Sequence, residues 1–231
     1  MGIIEFKFDV EKDLRNIWDT ANSKKHYNFE FKEKLPKEIL EICENKKYEK
    51  CKKELLEKRN PLYKNPLIKI MIKSLKESWV KIEKEYFVRL EKITGKKFAF
   101  KKVKAYLTTS NRCPYDYNPK NPSFFFGIYS NFWLKLASCG HELMHIHLHN
   151  SPWWIMVEDE IGREKTEDLK ESMTILLDLE FRDLWIVKDL GYIYPNHVKL
   201  REYIASEWKK KRDFNLLIKK CIKWIQKNGV K

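Results

Sequence analysis

An α+β fold is predicted for this chain by three features of its sequence. Apolar residues recur at steps of three and four from Leu67 to Ile93, the pattern of a long amphipathic helix. Apolar and polar residues then alternate from Phe98 to Thr108, and the aromatic run Phe124 to Tyr129 follows a loop rich in Asn and Pro, which reads as two strands. Helical patterns resume after residue 130 and hold to the end of the chain. The expected architecture is a small antiparallel sheet packed with two central helices and extended at both ends by further helices. At 231 residues, 43% hydrophobic and 14% aromatic, the chain has enough apolar surface to offset the entropy of ordering it.

Taken in order, residues 1–65 form a basic, helical N-terminal extension with a turn at Leu35-Pro36-Lys37, residues 66–195 the core, and residues 196–231 C-terminal helices packed on that core. The helix from Leu67 ends at Thr94-Gly95. Ser130 or Asn131 caps the first central helix, which Asn150-Ser151-Pro152 stops. A loop, Trp153 to Lys165, precedes Thr166, which caps the second central helix; Glu167 and Asp168 in its first turn complement the macrodipole. That helix is expected to run to Leu190 and end at Gly191, and Trp153 and Trp154 to cover the core. Two basic amphipathic helices, Val198 to Lys210 and Phe214 to Gln226, close the chain.

The first central helix carries the chemistry. Between Cys139 and His149 it contains H-E-x-x-H at His141 to His145. On a helix, positions i and i+4 share a face about 6 Å apart along the axis, so two imidazoles converge on one metal ion. Glu142 is rotated by about 100° from His141 and reaches a bound water without ligating the ion. With one further protein ligand, zinc keeps a position for water and lowers its pKa to roughly 7, so that Glu142 can take the proton. Four of the six histidines fall in this short stretch, which eases a chance match. An apolar helix, however, buries such a cluster only at a cost unless a metal or partners satisfy it. His149 lies about 12 Å beyond His141 along a straight helix and cannot share its ion. The third ligand is therefore sought among the acids of the second helix. There Glu167, Glu171, Thr174 and Asp178 form one polar stripe beside the apolar face of Leu169, Met173, Leu176 and Leu177.

This order of elements resembles the gluzincin class of zinc peptidases, and most of all its compact minigluzincin type. The resemblance spans Leu67 to Leu190, and His141, Glu142 and His145 are the residues that match a specific motif. It implies a glutamate ligand from the second helix. Glu171 is preferred, because Glu167 next to a capping Thr166 would sit at the fraying first position, whereas Glu171 lies a full turn further in. Glu167 stays as the alternative, since Glu171 would then stand where thermolysin-like enzymes place a supporting acid; four residues after Glu171 this chain has Ile175. The resemblance also implies a peptide bound as an added strand at the sheet edge, for which Phe124 to Tyr129 is the candidate. It implies a Tyr or His near the developing oxyanion. Among Tyr129, Tyr192, Tyr194 and His197, the last two follow the glutamate helix and are preferred.

The function expected is that of a zinc-dependent metallopeptidase, with Zn2+ on His141, His145 and Glu171, acting through a metal-bound water on a peptide or protein substrate. The alternative is a DNA-associated regulatory zincin, since some share the spacing H-E-x-x-H-x-x-x-H seen from His141 to His149; a structural metal domain is a third reading. The charge balance, 47 basic against 33 acidic residues, fits a Lys/Glu-rich surface, and no RRM, zinc-finger or helix-turn-helix signature points to nucleic acid. Five cysteines without close-paired spacing read as reduced thiols, Cys113 among them as an idle thiol or an inhibitory zinc ligand. No apolar run approaches the roughly 18 residues that span a bilayer and the start has no signal-peptide pattern, so a cytoplasmic protein without a membrane partner is expected.

Overall fold

Ile4, Phe6 and Phe8 alternate with Glu5 and Lys7, and this period of two makes Ile4–Phe8 a strand, β1, in a stretch expected to be mostly helical. The computed structural model describes residues 2–23, 30–187 and 194–230. Two compact units account for the chain, residues 1–79 with 102–131 and residues 80–101 with 132–231. One boundary between them falls inside a long helix.

In the first unit β1 leads into α1 (Val10–Ala21), whose N-terminus is capped by Asp9. A short 3-10 turn (Phe31–Lys34), α2 (Lys37–Cys43), α3 (Tyr48–Tyr63) and the first half of α4 (Pro66–Thr94) follow. Then come β2 (Val103–Thr108), the two-residue β3 (Tyr115–Asp116) and β4 (Ser123–Gly127). Leu14, Ile17, Ile39, Ile42, Cys51 and Leu55 bring the first three helices around one apolar cluster.

The sheet order is β1-β2-β4-β3. β1 pairs with β2 and β2 with β4 in parallel, and only β3 runs antiparallel, to β4. The expected antiparallel sheet is thus corrected to a mixed one. Parallel neighbours need long crossovers, and α1 to α4 provide one between β1 and β2. The candidate docking edge is corrected too, because β4 lies between β2 and β3. Tyr115 pairs with Phe124, and the Phe125 N–H donates to the Pro114 carbonyl at 2.9 Å. The strand expected from Phe98 begins only at Val103. Phe98 and Phe100 belong to the second unit, where the Phe98 ring packs 4.6 Å from Phe87, so one apparent alternation serves two cores.

The second unit holds the end of α4, closed by Gly95 at φ 67°, and then α5 (Phe132–His149), α6 (Pro152–Ile161) and α7 (Arg163–Met173). It continues with α8 (Ile175–Glu180), α9 (Arg182–Trp185), a 3-10 turn (Pro195–His197), α10 (Val198–Lys210) and α11 (Phe214–Asn228). The loop expected from Trp153 to Lys165 is α6 and the start of α7. Pro152 opens α6 at its first turn, where the missing N–H costs nothing, and Gly162 at φ 77° turns the chain into α7. Thr166 is therefore inside α7, its hydroxyl donating to the Gly162 carbonyl at 2.8 Å, and is not the cap. The long second helix is corrected to three short ones. α7 stops at Thr174, whose N–H and hydroxyl both turn back to the Glu171 carbonyl. The expected end at Leu190 and Gly191, and Tyr192, lie outside the described residues. Trp153 is buried, with its ring 4.6 Å from Phe214. Among the described residues no helix is long and apolar enough to cross a membrane.

Candidate metal centre

α5 is buried along most of its length, and its neighbours hold it closely at the residue before the motif. The Tyr86 hydroxyl donates to the Gly140 carbonyl at 2.6 Å. A Cβ at Gly140 would lie 2.7 Å from the Trp185 ring, so only glycine lets that indole approach the helix backbone so closely. This contact fixes the turn from which His141 and His145 project.

Their Nε2 atoms converge to 2.8 Å, with the rings nearly perpendicular. From α7, Glu171 directs Oε2 to both, 3.5 Å from His141 Nε2 and 3.3 Å from His145 Nε2. The three residues each offer a ligand atom, and these atoms all lie within 4.8 Å of one another. His145 is 1% exposed, and the side chains of Glu171 and His141 are 10% and 16% exposed. Glu142, next in the chain to His141, is also buried.

The charges of the cluster suit a cation. Burial pushes His145 down to about 3, more than the Glu171 carboxylate raises it, so its ring is neutral and keeps a lone pair for a metal. Burial alone would raise the Glu171 carboxyl. The Lys170 ammonium beside it, with hydrogen bonds from His141 and His145, outweighs it and holds the group well below the usual carboxylate range. Two imidazole nitrogens and one carboxylate oxygen, close together and partly shielded from water, are a donor set that could hold a metal ion.

The other described histidines are placed otherwise. His147 Nε2 is 2.8 Å from the Thr94 hydroxyl, and its ring stacks on Phe98 at 5.9 Å. His149 packs on Trp154 with ring centroids 3.9 Å apart. His197 is fully buried, its Nε2 2.8 Å from Asp168 Oδ1 on α7, and the half-buried Tyr194 lies 5.3 Å away, ring to ring. Glu167, on the fifth position of α7 rather than its first, takes Lys170 at 2.8 Å. The polar stripe is not a solvated face, since Glu171 and Thr174 are buried.

Sequence reasoning missed three supporting groups. Lys170 is buried and reaches Glu171 Oε1 at 3.1 Å. Arg201 of α10 donates to the Thr174 hydroxyl at 2.7 Å and to the Glu171 carbonyl at 3.4 Å, which holds the backbone of the third residue in the cluster. Asp168 anchors His197. The one signal for Lys170 was its place between Glu167 and Glu171; nothing local marked Arg201, 30 residues further on. Comparison with protein-family models, with curated proteins and with solved structures found no match.

Proposed function

We propose that this protein is a zinc-dependent metallopeptidase with His141, His145 and Glu171 as its metal ligands and Glu142 as its general base. The observation that carries the reading is the convergence of three ligand atoms within 4.8 Å, drawn from the two ends of a motif whose spacing serves that purpose and from a second helix. Bound there, zinc would supply Lewis acidity toward the peptide carbonyl and lower the pKa of a water molecule to roughly 7. Glu142 takes a proton from the attacking water and passes it to the leaving amine nitrogen. His145 stays neutral through burial and so presents a nitrogen lone pair, while Glu171 supplies the single negative charge of the ligand set. Tyr194 is the candidate donor to the developing oxyanion, as the resemblance to gluzincins implies. His197, closed off against Asp168, braces α7 instead.

Protein purified without added metal should contain one zinc per chain and cleave members of a peptide library. Glu142→Gln should keep both zinc and fold and lose hydrolysis by about 10² to 10⁴ in rate, because the amide cannot accept the proton. Full zinc content after replacing both His141 and His145 by Ala would sink the ligand assignment. Undiminished cleavage by Glu142→Gln would refute the base.

A further inference from the structure

The two oxygens of the Glu171 carboxylate face different partners. Oε2 is turned to His141 and His145, at 3.5 and 3.3 Å, while Oε1 lies 3.1 Å from Lys170 Nζ. Lys170 is itself 4% exposed, a degree of burial that an ammonium tolerates only when it is paired. Its second carboxylate is Glu167 Oε2 at 2.8 Å, one turn back on the same helix. Beside it lies a small apolar cavity of about 20 Å³, lined by Leu148, Trp153, Trp154 and Met173 as well. Apolar surroundings of this kind strengthen the attraction between the ammonium and the two carboxylates. Lys170 is thus clamped between two acids on α7.

We propose that Lys170 is a positioning residue that presents Glu171 to the metal through Oε2 alone. A carboxylate next to a divalent cation can bind through one oxygen or through both. With Oε1 engaged by a buried ammonium, rotation of the carboxylate to bring both oxygens onto the ion would break a pair that the apolar surroundings make costly to lose. One-oxygen binding in turn leaves more of the coordination sphere for water and substrate, which a hydrolytic centre needs. The charge of Lys170 also balances that of Glu171 before any metal arrives, so the cluster can fold without it. This role rests on the zinc reading above.

The test is the infrared difference spectrum of the full chain, zinc-loaded minus metal-free, in the carboxylate stretching region. The probe is zinc alone, and metal analysis of each sample comes first. A carboxylate bound through one oxygen separates its antisymmetric and symmetric stretches more widely than the free ion does, and one bound through both separates them less. The wild type should show the wide separation, Lys170→Met the narrow one, and Lys170→Arg, which keeps a charged donor, the wide one again. Identical spectra in the wild type and Lys170→Met, both carrying zinc, would overturn the role of Lys170 and leave the zinc reading standing. A narrow separation in the wild type would overturn it equally, and this holds even if Lys170→Met fails to fold. A wild type that takes up no zinc would overturn both.

Discussion

His141 and His145 lie on one face of α5 with Glu171 across from them, while Glu167 is spent on Lys170. Glu171→Ala should therefore weaken zinc binding by more than about 100-fold, and Glu167→Ala, which touches the cluster only through Lys170, by about tenfold or less. Competition with a chelator of known affinity measures both, and the reverse order would exchange their roles. His147 is a different case two residues away. Burial lowers its ring to about 4, against a weaker pull upward from Glu91. Its folded value lies below the unfolded value of about 6.5, so its contribution to stability is present above that pH and is lost as the pH falls toward 4. Between pH 7 and 4.5 the metal-free protein should lose about 2 to 3 kcal/mol through this group. Urea unfolding at the two pH values checks it, and His147→Leu should show a correspondingly smaller pH-dependent loss.

At the level of the element, α5 is held where Gly140 passes under Trp185 and its carbonyl meets Tyr86. Gly140→Ala places a methyl within 2.7 Å of the indole and should cost about 1 to 3 kcal/mol by overpacking. Tyr86→Phe removes one buried hydrogen bond and should cost about 1 kcal/mol, more if the Gly140 carbonyl is left without water. Thermal unfolding of the two variants tests the ranking. The helices with a clean period, α4, α5, α10 and α11, were legible in the sequence nearly to the residue, because a three-to-four repeat over several turns has no competing reading. The H-E-x-x-H pair was legible for the same reason, since both residues sit on one helix. What failed depended on context. Ile4, Phe6 and Phe8 alternate visibly, but a five-residue strand beside long charged helices is easily absorbed into them. Pro152 stops one helix and opens the next, and only the second role shows that α6 exists. Alternation gives the faces of a strand and not the direction of its neighbour, so the parallel pairing of β1, β2 and β4 could not be read. Lys170 and Arg201 act through partners that packing alone brings to them.

Across the whole molecule, the candidate ligands belong to one compact unit, with α5 supplying two and α7 the third after all of α6 has intervened. Such a centre exists only while α5 and α7 are packed together, since an extended chain would carry His145 and Glu171 far apart. Any metal that prefers the assembled site therefore shifts the folding equilibrium by mass action. At a free concentration a hundred times its dissociation constant it contributes about 2.7 kcal/mol. Chelation should lower the unfolding temperature of this chain by about 5 to 10 °C. The loss should vanish in a variant with both His141 and His145 replaced by Ala. Calorimetry with and without chelator measures the difference, and an unchanged midpoint in the wild type would contradict it. On the zinc reading proposed above, the metal would have two duties: as well as serving chemistry, its availability in the surroundings would bias how much of this protein is folded and so how long each chain lasts.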